Sequence, residues 1–389
     1  MKRRTFLKGS AILSSAVLLA PNFAFANEEK NPFGISTKPR KFSILNNYSI
    51  NPSSEITQLW IPLPKDESYH KVVAFAYKGN FTEAKVVKND YDTRVLYVKW
   101  DKSDKKSELE VSFDVIMQER TTDFSKATSN TNYPSDIKVY LEGTTHVPVT
   151  SGLQDYAKNI IKNLKTPLEK AQAIYDWTVS TMYRDESVKG CGIGDAKKSI
   201  EEKIYGGKCT DISSVFVALL RNVGIPAREI FGIRAGQSKI SNACGKADEK
   251  GFANITGAQH CRAEFYIDGL GWVPADPADV TKVRLAEKLN NEDQKIKDTK
   301  KYFFGSWEMN WVAFNSARDF ILTPKPTQYP LNMLGYPYAE VGEDAKDYYK
   351  PKTFVYSYTS QEILWKRPLN ISCQSNSDRR NPITPELKF

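Results

Sequence analysis

The chain has 389 residues and a mass of 44.1 kDa, with 40% hydrophobic, 12% aromatic and 26% charged residues. That composition excludes a disordered chain, a collagen-like repeat and a coiled-coil rod, and the length allows two or three domains with their own cores. The formal charge of +9 comes from 55 Lys and Arg against 46 Asp and Glu, with no basic stripe, so a nucleic-acid partner is not implied.

The first 26 residues carry Lys2, Arg3, Arg4 and Lys8 and no acid, so the remaining 51 bases against 46 acids leave +5. A short apolar run, Ala11 to Ala20, follows, then Ala24-Phe25-Ala26, a small-x-small cleavage pattern. About ten apolar residues are too few for a bilayer span, which needs roughly 20. Arg3-Arg4-Thr5-Phe6-Leu7-Lys8 resembles the twin-arginine export signal of bacteria, although Lys2 stands where Ser or Thr is usual. The expectation is a signal peptide over 1–26, the twin-arginine machinery as a partner, and a mature protein, periplasmic and without a transmembrane segment, from about Asn27. A general secretory signal is the alternative.

Residues 27–147 are strand-like. Thr57 to Pro62 is a short apolar run closed by proline, and Arg94 to Trp100 and Glu108 to Met117 flank a charged turn. Val111, Phe113 and Val115 alternate with Ser112 and Asp114, as on a half-buried strand. An N-terminal β-sandwich-like domain is expected here. Helical patterns begin at Leu153 to Asn163 and at Pro167, whose proline suits a first helical turn. Gly190-Cys191-Gly192-Ile193-Gly194-Asp195 lacks the strand before and the Lys-Ser/Thr after that a phosphate loop requires, and reads as a flexible loop or lid.

Gly206-Gly207-Lys208-Cys209-Thr210-Asp211 precedes apolar residues at 212, 215, 216, 219, 220 and 223, one face of a helix stopped by Gly224 and Pro226. Cys209 then lies in the first turn, where free amides and the helix dipole favour a thiolate and an oxyanion. His260-Cys261-Arg262-Ala263-Glu264-Phe265-Tyr266-Ile267 alternates as a strand, and Trp272 to Asp276 returns beside it after the turn Asp268 to Gly271. Simple register pairs residue 260 with 279, an irregular strand at Pro274 favours 276, and Asp276 and Asp279 both remain candidates. Strand parity points Cys261 away from the site, and Cys191 and Cys244 are expected to pair as a disulfide. With five cysteines, at least one thiol is left over. No His or Cys pair has zinc-ligand spacing.

Residues 285 to 301 read as a solvated connector, Gly305 to Thr323 as aromatic-rich, and the end from about Gln374 as loose. The expected division is 27–147, 148–290, and 291–389 as an extension packing on the core. Arg221 and Arg228 read as ion-pairing or snorkelling residues rather than substrate binders. Asp211 reads equally as a site-orienting group and as a first-turn acid.

Gly207-Lys208-Cys209-x-Asp211, Leu219-Leu220-Arg221-x-x-Gly224-Ile225-Pro226-Ala227-Arg228, His260-x-x-Ala263-Glu264 and Gly271-Trp272-Val273-Pro274-x-Asp276-Pro277 together resemble the bacterial transglutaminase-like superfamily. Trp60-Ile61-Pro62-Leu63-Pro64 resembles the β-domain that often precedes such cores. The resemblance implies an α+β fold with a papain-like core and a Cys-His-Asp triad: Cys209 as nucleophile, His260 as base, Asp276 rather than Asp279 as orienting group. Arg262 departs from the aromatic usual there and would narrow substrate choice or point to solvent. Tyr205 and Gln259 are the candidates for a second oxyanion donor. The implied chemistry is acyl transfer from a protein, peptide or cell-wall peptide substrate to water or an amine, with no metal or organic cofactor. The alternative is a binding module for cell-wall or protein partners.

Overall fold

The computed structural model describes residues 31–350 and 352–363. The expected signal peptide, the loose tail and Cys373 lie outside the described residues.

Two antiparallel five-stranded sheets hold the first part of the chain. One orders Phe252–Asn254, Phe354–Ile363, Arg40–Ile50, Ser107–Met117 and His70–Gly79. The other orders Asp344–Lys346, Tyr338–Val341, Thr57–Pro62, Arg94–Trp100 and Glu83–Lys88. Alternation sets the faces: Phe42, Ile44, Tyr48 and Ile50 are buried along the first strand, as are Leu109, Val111, Phe113 and Val115 on its neighbour. Phe42, Ile44, Val111 and Phe113 from one sheet and Leu59, Ile61, Leu96 and Val98 from the other belong to one hydrophobic cluster, the interior of a β-sandwich. The charged turn after Trp100 therefore carries the chain from one sheet to the other.

The later strands return to this sandwich. Phe354–Ile363 pairs along the whole of Arg40–Ile50, and Tyr338–Val341 pairs with Thr57–Pro62.

A third, four-stranded antiparallel sheet runs Gly271–Ala275, Gln259–Ile267, Ala227–Arg234 and Trp311–Asn315. The helix Cys209–Asn222 packs on it. Every residue of that helix except Asp211 is buried, including Thr210, Ser213, Ser214 and Asn222. The period-3.6 apolar face marks only the sheet side. The polar side is covered as well, by the helices Ser151–Ile160, Pro167–Thr181 and Ala196–Glu201; Ser214 Oγ donates to Glu229 at 2.6 Å, while Ser213 Oγ has no partner among the described residues. The Pro167 helix opens on a capping box between Thr166 and Glu169.

The expected connector over 285–301 is instead partly a helix, Gln294–Phe303, which buries Ile296, Thr299, Tyr302 and Phe303. Its lysines and aspartates occupy the other face, so a charge-rich composition concealed a short amphipathic pattern. Among the described residues, no helix is long and apolar enough to cross a membrane.

Candidate active site

Cys209 is the first residue of its helix, with Lys208 as N-cap. The Asp211 carboxylate folds back to accept the Lys208 amide at 2.8 Å, and it also accepts the amides of Ile193 and Gly194 at 3.0 and 2.8 Å. Thr210 N–H donates to Cys191 O at 2.8 Å. The Gly190–Asp195 segment, expected as a flexible lid, is thus bonded to the start of the Cys209 helix, and Asp211 is the tether. Of the first-turn amides, Thr210's is occupied, which leaves the N–H of Cys209 itself facing the thiol's surroundings.

His260 begins the strand against which this helix packs. Its Nε2 lies 2.8 Å from Asp276 Oδ2 and 3.5 Å from Asp279 Oδ2. The hairpin register explains the choice. Ala263 pairs with Ala275, so the ladder ends one residue before Asp276, and the chain turns into the helix Pro277–Ala286. Asp276 is the N-cap of that helix: Oδ1 accepts Asp279 N–H at 2.9 Å while Oδ2 faces His260. Asp279, the competitor by simple register, makes a bidentate pair with Arg234 at 2.5 and 2.9 Å.

With Nε2 on Asp276, the ring's Nδ1 is left for the thiol, and both Cys209 and His260 line the same cleft. Cys209, His260 and Asp276 are 4%, 2% and 0% exposed, so their charges interact with little screening by water. Burial and the Arg234 charge oppose protonation of His260, but the Asp279 and Asp276 carboxylates outweigh them and its pKa is raised. Asp276 is itself pushed up, by burial and by the Asp279 charge, against the pull of His260 and Arg262.

Cys191 and Cys261 surround the nucleophile position. The three sulfurs lie within 4.8 Å of one another, and Thr210 Oγ1 is 3.0 Å from Cys261 Sγ. Hydrogen bonds from Cys191 and Cys261, with a further contribution from His260, hold Cys209 well below the ordinary thiol range despite its burial. The neighbours move the other way: Cys191, whose Sγ donates to Gln259 O at 3.5 Å, is raised chiefly by its interaction with Cys209, and Cys261 chiefly by burial. Two expectations are corrected here. Cys191 does not pair with Cys244; all four described cysteines are free thiols, and Cys244 lies instead beside Asp279 and Arg234. Cys261 does not point away, because the Cys209 helix covers its face of the strand and brings the nucleophile turn to it. Among the described residues, these three thiols, and His260 with Asp276 and Asp279, are the groups close enough to share a cation.

Arg262 faces neither solvent nor substrate. It is 1% exposed, its Nε is 3.2 Å from Asp276 Oδ2, and its guanidinium sits 4.8 Å above the Trp311 ring. The unusual arginine therefore supports the orienting carboxylate from behind, stacked on aromatics that the sequence places fifty residues later. Trp311 also donates through Nε1 to His260 O at 3.0 Å. Arg228 pairs with Glu264 and stacks on Trp272, and Arg221 donates to the carbonyls of Ala227 and Glu142, structural roles in both cases.

A cleft of about 750 Å³ opens over Cys209 and His260. Gln259 lines it, and its buried Nε2 has no hydrogen-bond partner among the described residues. Tyr205 bonds to Tyr156 and stacks on Trp177 instead, outside that lining. Cys191 and Cys261 are the site residues that sequence reasoning missed; their one signal was that both flank the nucleophile's partners, in the Gly-rich loop and next to His260.

Residues 154–277 match the family model of the transglutaminase-like superfamily. An uncharacterised protein of Haemophilus influenzae is 44% identical over 319 residues, covering 79% of this chain and 86% of the relative. Among solved structures, a protein named provisionally as a cysteine protease, from Cytophaga hutchinsonii, is similar with a TM-score of 0.55 at 15% identity, over 85% of this chain and 93% of that one. The periplasmic domain of TgpA from Pseudomonas aeruginosa is similar more loosely, with a TM-score of 0.35 at 14% identity over 65% and 74%.

Proposed function

For a chain that belongs to the transglutaminase-like superfamily, we propose cysteine-dependent acyl transfer on peptide or carboxamide bonds, with Cys209 as nucleophile, His260 as base and Asp276 as its orienting group. The observation that carries this reading is the contiguous buried set: Cys209 in the first turn of a helix packed on the strand of His260, whose Nε2 is 2.8 Å from the Asp276 carboxylate. Nδ1 of His260 takes the Cys209 proton, and the thiolate attacks the substrate carbonyl. The developing oxyanion meets the Cys209 N–H and Gln259 Nε2, the latter a donor with nothing else to bind. His260 returns its proton to the leaving amine, and a thioester remains. Water or a substrate amine then releases the acyl group.

Hydrolysis is the favoured outcome. The cleft is lined by many polar and charged side chains, which suit the entry of water as acceptor. The substrate is a protein, peptide or cell-wall peptide met outside the cytoplasm, in keeping with the basic, apolar and small-x-small order of residues 1–26. A pure binding module is the second reading, but it has no chemical need for a thiol, an imidazole and a carboxylate brought together.

The deciding experiment is the pH dependence of iodoacetamide alkylation at Cys209, followed by peptide mapping, in the reduced protein and in His260→Ala. Rapid labelling that persists below pH 7 and is lost in the variant is expected. Labelling that follows an ordinary thiol near pH 8.5, unchanged by the variant, would refute the dyad and leave the binding module.

A further inference from the structure

The cleft over Cys209 is strongly one-sided in charge. Its lining holds Arg184, Lys208, Arg234, Lys246 and Lys282 against Glu186 alone. Arg184 and Lys208 both spend their charge on Glu186, at 2.7 and 2.6 Å, and Arg234 is committed to Asp279. Lys282 and Lys246 are left. Neither has a carboxylate within ion-pair distance among the described residues, and Lys246 stands exposed at the rim.

Lys282 is the more telling of the two. It lies six residues after Asp276, on the helix that Asp276 caps, and its half-buried ammonium looks into the cleft. Burial and the neighbouring Arg234 charge, with Arg184 adding to it, lower its pKa to about 8 although Asp279 pulls the other way. A half-buried cation among other cations is unfavourable unless an anion completes it. The one carboxylate in the wall, Glu186, is already held by Arg184 and Lys208, so the complement has to arrive with the substrate.

We propose that this cleft selects acyl donors that carry a carboxylate close to the attacked carbonyl, with Lys282 as the recognising cation and Lys246 attracting the anion at the entrance. The carboxylate is either an acidic side chain or the free C-terminus of a short peptide; both present the same group to Lys282. The assignment rests on the acyl-transfer reading for the meaning of "donor", but charge recognition can be measured without any turnover.

The first measurement compares alkylation of Cys209 by iodoacetate and by iodoacetamide, reagents of the same size that differ by one negative charge. The ratio of their rates is normalised to that for 2-mercaptoethanol. A cleft of this charge is expected to favour the anion by about tenfold at low salt, and the preference to collapse near roughly 0.5 M NaCl. Lys282→Gln should reduce the ratio about three- to fivefold, and Lys282→Gln with Lys246→Gln further, while the iodoacetamide rate stays within about twofold. His260 also attracts anions, so a ratio unaffected by Lys282→Gln would assign the preference to the imidazolium and overturn the proposal.

The second measurement titrates Cys209→Ala calorimetrically with three tripeptides. One is blocked at both ends with central glutamate, one has central glutamine and a free C-terminus, and one has glutamine and both ends blocked. Tighter binding of the first or the second, abolished by Lys282→Gln on the same background, supports the proposal and tells which carboxylate is read. Equal binding of all three overturns it. Should Cys209 of the unmodified protein resist both alkylating reagents, the acyl-transfer reading falls, while the calorimetric comparison still decides whether the cleft reads charge.

Discussion

Around Cys209 two other thiols, Cys191 and Cys261, lie with all three sulfurs within 4.8 Å of one another, and with His260 they pull the Cys209 pKa down. The ion pair this creates sets the pH profile. Cys209 loses its proton at low pH and His260 keeps its proton to a raised pH, so the reactive thiolate–imidazolium pair exists between the two. Acylation should rise as pH climbs through the Cys209 pKa and fall as pH climbs through that of His260, a bell read from kcat/KM. Cys191→Ala removes a donor to the thiolate and should move the acid limb upward by about one pH unit, leaving the basic limb in place. Gln259→Ala should lower kcat by about a hundredfold with little change in KM, the pattern of a donor used only by the oxyanion. Cys209 and His260 could be picked out from the sequence as the proposed nucleophile and base because a helix start and a strand each constrain their own residues. The flanking thiols could not be, since parity along one strand says nothing about which helix will cover its far side.

The elements around the site are tied to one another by few groups. Asp211 holds three backbone amides, one from its own N-cap and two from the Gly190–Asp195 segment. Gly192 takes a φ of +86°, and a Cβ there would overlap the Asp211 carboxylate. Asp211→Ala should therefore destabilise the protein by about 1–3 kcal/mol, the cost of buried donors left unpaired, measured by urea denaturation. Slower alkylation of Cys209 should accompany the loss, since Cys191 sits on the released segment. The sequence presented Asp211 as either a site group or a helix acid; in the folded chain it is both, because its second oxygen reaches a loop eighteen residues upstream. Likewise, which aspartate serves His260 depended on where the hairpin ladder stops, and the capping preference of Asp276 is what stops it.

Over the whole molecule, the chain is more interleaved than a linear reading of its composition suggests. Trp311–Asn315 closes one side of the core sheet, and Phe354–Ile363 lies in the middle of a sheet begun at Arg40. A fragment ending at residue 290 would expose the Ala227–Arg234 edge and lose the Trp311 donor to His260 and the aromatic seat of Arg262. Residues 148–290 expressed alone should show no cooperative urea transition, whereas residues 27–363 should; far-ultraviolet circular dichroism makes the comparison. Sequence alone determined the elements whose patterns are local: the alternating strands of the sandwich, the helix behind Cys209, the order in which Cys209, His260 and Asp276 follow one another, and the family they mark. Periodicity and capping act within a few residues, so they are written where they act. Tertiary structure alone decided the three-thiol surround, the burial of Arg262 behind Asp276, the helix within 285–301 and the return of the last strands to the first sheet. Those depend on contacts between residues tens to hundreds of positions apart, made only when one surface of the chain has to be covered by another.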